Sequence, residues 1–186
     1  MRRRLRNVRR VRYCVAGAGV LLAALMPVAT VGVARSASVG ASRAEPSFAA
    51  IPGWHVVPVG SMTGPIGRSV SAANVAFSRA DLGSGAPVKT AAALPKAGIL
   101  IWAQFQATGR PAMDRGFPLR RLPLRLNEAA VSRNPEGFAS PGKVLHLLAR
   151  AHGYDIFIYI FFGSPKPSSA VRAAANTQLG KLYLPT

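Results

Sequence analysis

The side chains of this chain best suited to acid–base, nucleophilic or metal chemistry are three histidines, six carboxylates and one cysteine. His146 and His152 stand six positions apart in a segment that alternates like a strand. At about 3.3 Å per residue they are separated by roughly 20 Å, too far to share a metal ion. His152 precedes Gly153 between two apolar runs and reads as a solvated turn residue, while His146 reads as a packed partner of Tyr159. Glu45, Asp81, Asp114, Glu128, Glu136 and Asp155 lie mostly in turn-like contexts. No spacing sets two of them on one cleft, as a two-carboxylate hydrolase needs. No serine occupies a G-x-S-x-G elbow, and Gly83-Ser84-Gly85 lacks the strand, lysine and helix of a phosphate loop. Cys14 has no second cysteine to pair with, so packing alone must hold the fold. The residues give no catalytic set, metal ligands or cofactor, and the chain is read as non-enzymatic, with an envelope hydrolase as the lesser alternative.

Two other groups of side chains suit binding. Trp102, Phe157, Tyr159 and Phe161 fall on one side of strand-like segments, and an exposed aromatic face of that kind grips sugars or peptides. The competing reading buries that side under the N-terminal strands or loops. Arg110, Arg115, Arg120, Arg121 and Arg125 lie within sixteen residues that contain one acid, Asp114. Such a loop would hold to anionic lipid or wall polymer, each charge adding up to about 1 kcal/mol at low screening. Its competing reading is a solvated loop.

Where these groups act follows from the N-terminus. Arg2, Arg3, Arg4, Arg6, Arg9, Arg10 and Arg12 are followed by Tyr13 to Ala34, 22 residues without a charge. A basic stretch before an apolar one is what the secretion machinery reads. A helix of that length reaches about 33 Å, enough to cross a bilayer. Residues 1–34 are therefore a signal peptide or a single N-terminal membrane anchor. Gly32-Val33-Ala34 suits cleavage before Arg35, the length of the run suits an anchor, and Pro27 shortens its strongest part. The chain is expected to be exported, either secreted or held at the cell membrane. Residues 36–186 carry 16 Lys and Arg against 6 Asp and Glu, a formal +10. Outside the cell that charge meets envelope proteins, anionic polymers or lipid head groups, not nucleic acid.

Residues 35–50 are small and polar and read as a flexible stalk. Residues 51–186 have the length of one domain. Trp54–Val59 reads as a strand that Pro58 confines to an edge or an end, and Val70–Arg79 as a second. Ile99–Thr108 sets Ile99, Ile101, Ala103 and Phe105 on one face. Leu122, Leu124 and Leu126 alternate with Arg121 and Arg125. Lys143–Phe162 folds about His152-Gly153 as a hairpin. Its pattern selects a register of Leu145 with Ile160, Leu147 with Ile158 and Ala149 with Ile156 on an aliphatic face. His146–Tyr159, Leu148–Phe157 and Arg150–Asp155 share the other. After Gly163-Ser164-Pro165, Ser164 or Ser168 caps a helix whose Val171, Ala175, Leu179 and Leu182 repeat at helical spacing, closed by Pro185. The expected domain is α+β, an antiparallel sheet of about five or six strands with a C-terminal helix on its aliphatic face.

Trp54-His55-Val56, Ile99-Leu100-Ile101-Trp102-Ala103, Pro123-Leu124-Arg125-Leu126 and Gly153-Tyr154-Asp155 leading to Phe162-Gly163 carry a resemblance. Through these short motifs and its basic leader, the chain resembles small exported or membrane-anchored proteins of high-GC Gram-positive bacteria. The resemblance implies an extracytoplasmic domain and brings no activity with it.

Overall fold

A computed structural model describes residues 45–59, 67–82, 86–109, 116–132 and 138–185. The chain divides into two units, 1–40 and 41–186, and all described residues belong to the second. The expected leader, 1–34, lies outside the described residues. Among the described residues no helix is long and apolar enough to cross a membrane.

The domain is α+β, mostly antiparallel sheet with a C-terminal helix. Its strands are β1 (Ser47–Phe48), β2 (His55–Val59), β3 (Arg68–Ala73), β4 (Ile99–Ala107), β5 (Ala130–Val131), β6 (Val144–Ala151), β7 (Tyr154–Phe162) and β8 (Leu182–Tyr183), and its helices α1 (Val88–Ala92) and α2 (Ser169–Leu179). Six strands form one sheet in the order β2-β3-β4-β7-β6-β5, and β1 pairs with β8 in a separate ladder. Proline removes a ladder donor, and Pro58 accordingly lies on an edge strand.

The hairpin has the expected register, with Leu145 opposite Ile160, Leu147 opposite Ile158 and Arg150 opposite Asp155. Its turn residues His152 and Gly153 both have positive φ, 49° and 76°, as the two-residue turn that matches strand twist demands. On one face of the sheet, Val70, Ile101, Phe105, Leu147, Ile158 and Ile160 are buried with Ala175 and Leu179 of α2. Ser168 caps helix α2, its hydroxyl accepting a hydrogen bond from the Val171 N–H at 3.3 Å. That bond satisfies an otherwise orphaned donor.

Four elements depart from the sequence expectation. β3 stops at Ala73 and does not run to Arg79, because Asn74 takes the next ladder position with its side chain. Ile99 N–H donates to Asn74 Oδ1 at 2.6 Å, and Asn74 Nδ2 donates to the Ala97 carbonyl at 3.1 Å. The chain then leaves the sheet through a 3-10 turn at Arg79–Leu82 and the short helix α1. The 121–126 segment alternates in burial, Leu124 and Leu126 being buried and Arg121, Pro123 and Arg125 exposed, but forms no strand. Helix α2 ends at Leu179, and Leu182 belongs to β8, where it pairs with Phe48.

The fourth departure concerns the segment read as a stalk. Phe48, the one large apolar residue among small ones, is buried on the α2 side of the sheet. Gln178, itself fully buried, clamps the following residues to α2. Its Nε2 donates to the Ala49 carbonyl at 3.0 Å, and its Oε1 accepts from the Ile51 N–H at 3.4 Å. The folded domain therefore starts before residue 51.

Candidate functional site: an aromatic layer and an uncompensated basic surface

The second face of the sheet brings the four candidate aromatics together, but inside the protein. Trp102 and Tyr159 stack with ring centroids 5.9 Å apart, Phe157 meets Tyr159 edge-on at 4.7 Å, and Phe161 lies 5.9 Å from Tyr159. Phe138 covers Trp102 at 5.2 Å and Phe161 at 5.5 Å. Phe77, Leu82, Ala91 and Leu94, from the 3-10 turn, α1 and its flank, complete the layer. Trp102, Tyr159 and Phe161 are 2%, 4% and 0% exposed, and only Phe157 is part-exposed. Of the two readings of this side, open or covered, the covered one is observed: residues 77–82 and 86–94, whose elements the local sequence does not announce, lie over it.

Toward the opposite end of that face the layer turns polar. Ser69 and Ser71 of β3 stand opposite Gln104 and Trp102 of β4. The hydroxyls of both serines, the Trp102 Nε1 and the Nε2 atoms of Gln104 and Gln106 are buried without a hydrogen-bond partner. Buried polar atoms are normally paired because an unpaired one loses its hydration without return. The β4 alternation identifies Trp102, Gln104 and Gln106 as one side of a strand, but not that this side is covered.

The basic residues separate into distinct classes. Arg110 and Arg115 lie outside the described residues. Arg120 is tied down: its Nε donates to the Leu148 carbonyl at 2.9 Å, and its Nη1 lies 3.4 Å from Glu128 Oε2. Its backbone N–H also donates to the Arg150 carbonyl at 3.0 Å, and Arg150 N–H donates to the Pro118 carbonyl at 2.8 Å. These bonds fasten the 118–120 segment beside β6. Arg121 and Arg125, two and six positions from the exposed Leu119, stand in solvent.

The acids near these arginines are already engaged. Glu45 pairs with Arg68, Glu128 with Arg120 and Asp155 with Arg150. The Asp81 carboxylate accepts from the Ser78 N–H at 2.8 Å and from its hydroxyl at 2.9 Å. Those bonds, the backbone one foremost, hold its carboxyl below the ordinary aspartate value. These engaged acids leave Arg121, Arg125 and Arg172 without a carboxylate partner among the described residues. Arg172 is a residue that sequence reasoning passed over, because on α2 it reads as an ordinary solvent-facing position. With Arg125 it lines a cleft of about 310 Å³ between α2 and the 125–127 segment, together with Asn127 and Asn176.

The histidines do not converge. His55 is on edge strand β2 and His146 on β6, four strands away in the sheet order. That is roughly 19 Å at about 4.8 Å per strand. His152 is exposed in the hairpin turn. Among the described residues no three His, Cys, Asp or Glu side chains gather as metal ligands. No family model, curated protein or solved structure matches the chain.

Proposed function

We propose that the chain is an exported binding module, without catalysis, that holds an anionic component of the cell envelope through its basic surface. Residues 1–34 serve in this reading as signal peptide or membrane anchor and leave the folded domain outside the cytoplasm, as in the exported proteins the chain resembles. The observation that carries the reading is the charge accounting. The described acids are engaged by Arg68, Arg120, Arg150 and Ser78, while Arg121, Arg125 and Arg172 face solvent with none. Uncompensated cations on a surface attract polyanions over about a Debye length, roughly 8 Å at physiological salt. The buried aromatic layer favours this basic surface over aromatic stacking as the contact.

The test has two parts. Residues 1–50 fused to a reporter export it, and exchanging Leu21, Leu22 and Leu25 for charged residues retains it in the cytoplasm. The purified chain sediments with isolated cell-wall polymer at low salt and is released as salt is raised. Sedimentation insensitive to salt, or export of the leader variant, overturns the reading.

A further inference from the structure

The cleft between α2 and the 125–127 segment is lined by hydrogen-bond donors and carries positive charge without an acid. Arg172, on the first turns of α2, and Arg125 supply two guanidinium groups from different elements. The nearest acid in sequence, Glu128, is already engaged: its Oε2 receives Arg120 Nη1 at 3.4 Å and the Arg125 backbone N–H at 3.4 Å. Asn176 is oriented from behind, because its Oδ1 accepts the Leu126 N–H at 2.8 Å. An amide whose oxygen is fixed in that way has only N–H donors left to offer. Asn127 adds a second amide to the lining, and the remaining members are Leu126 and Ala173.

Guanidinium groups bind oxyanions through paired, charge-assisted N–H bonds. Two of them with a fixed amide donor suit a group that spreads its charge over several tetrahedral oxygens, which is a phosphate more than a carboxylate. A cleft of about 310 Å³ has room for a phosphate and a short polyol arm. None of the exposed large apolar residues Val88, Leu119, Val131 and Tyr183 lines it, and its apolar members are the buried Leu126 and the small Ala173. We infer that this cleft is a binding site for phosphate esters, the Arg125 and Arg172 guanidinium groups and Asn176 Nδ2 gripping the phosphate oxygens. The inference rests on the envelope-binding reading only in making a polyol-phosphate polymer the natural source of that group.

The experiment titrates the full chain in detergent with glycerol phosphate, and in a second arm with inorganic phosphate, by calorimetry. Binding is expected to saturate at one site. Arg172→Gln should weaken it roughly tenfold to a hundredfold, the worth of one charge-assisted contact. Asn176→Asp should abolish it, since the aspartate keeps an acceptor for Leu126 N–H and sets a negative charge in the cleft. Lys166→Gln removes one charge outside the cleft and should change nothing. A wild-type chain that shows no saturable binding, or equal losses for Arg172→Gln and Lys166→Gln, overturns the site. The last result leaves the general basic-surface reading standing. Saturable binding of glycerol phosphate by a chain that does not sediment with wall polymer keeps the cleft and overturns the envelope reading. A third arm with vesicles of phosphatidylglycerol distinguishes sources: binding there at the expense of soluble glycerol phosphate would make a lipid head group the occupant.

Discussion

The Arg150 guanidinium grips the Asp155 carboxylate across the β6–β7 hairpin, Nε to Oδ1 at 2.7 Å and Nη2 to Oδ2 at 3.3 Å, with the two charges unequally buried. The aspartate side chain is 3% exposed and the arginine 28%. A sequence pattern that puts opposite charges opposite each other beside a turn suggests a solvent-exposed pair of little energetic weight. Burial changes that weight. Arg150→Met would leave a carboxylate in the interior without its counter-charge, whereas Asp155→Asn leaves a guanidinium that still reaches water. Urea denaturation should show about 3 kcal/mol lost in Arg150→Met and about 1–2 kcal/mol in Asp155→Asn. Equal losses would refute the asymmetry.

The hairpin register makes the core predictions specific. Leu147→Ala and Ile158→Ala each delete a side chain no more than 1% exposed, on the face that α2 covers. Each should cost about 2–5 kcal/mol. Tyr159 sits on the other face and is 4% exposed, so Tyr159→Ala should also behave as a core change, at about 3–5 kcal/mol. Thermal or chemical denaturation decides it. A Tyr159→Ala protein of undiminished stability would mean that the aromatic layer is open after all.

What was legible in the sequence was what depends on nearest neighbours along and across a strand. The period-two alternation of Leu145, Leu147 and Ala149 against Ile156, Ile158 and Ile160 allows one register, because a slip by one mixes charge into the aliphatic face. His152-Gly153 marks the turn and Ser168 the cap for equally local reasons. What was not legible depends on which distant segment lies over a face. Phe77 and Leu94 carry no periodic pattern, and Phe48 is one apolar residue in a run of small ones, yet all three close a core. The same blindness affected the candidate site. Arg120 and Arg121 are indistinguishable as letters, and only the fold ties the first to Leu148 and Glu128. Arg125 and Arg172, 47 positions apart in the chain, line one cleft.

Asp81 offers a test by acid. Its carboxyl is held below the ordinary value by the Ser78 N–H and then by the Ser78 hydroxyl. A carboxyl whose folded pKa is depressed stabilises the fold above its unfolded pKa, and that contribution is lost as pH falls through the folded value. The window therefore lies below about pH 4, given an unfolded aspartate near 3.9. Asp81→Asn should lower stability at neutral pH and leave less to lose on acidification. Stability curves of the two proteins that stay parallel from pH 6 to pH 2 would count against the turn.

The unpartnered polar atoms on the second face make an unusual prediction. Ser71 is fully buried, and its hydroxyl has no hydrogen-bond partner. A buried hydroxyl left in that condition costs about 1–3 kcal/mol. Ser71→Ala removes the cost with little change of shape, and the variant should match or exceed wild-type stability by about 1 kcal/mol. A loss of more than 1 kcal/mol would show instead that the hydroxyl holds something, a water or a ligand, in solution.

The arginines of the 120–125 segment should separate by role. Arg120 fixes the backbone beside β6 through the Leu148 carbonyl and joins Glu128, whose other contact is the Arg125 N–H. Arg120→Gln should therefore lose a charge-assisted bond and about 1–2 kcal/mol of stability, and amide exchange in 118–128 should quicken. Arg121→Gln and Arg125→Gln touch no such bond with their side chains, so their melting temperatures should stay at the wild-type value. Their effect should fall on binding: the double variant should elute from immobilised anionic polymer at lower salt, because it has lost two uncompensated charges. If Arg120→Gln alone lowered the elution salt as far as the double variant while stability held, the guanidinium of Arg120 would be a contact to the polymer and its bonds to Leu148 and Glu128 incidental. If the double variant eluted with wild type, the basic surface would be solvated charge with no partner of its own.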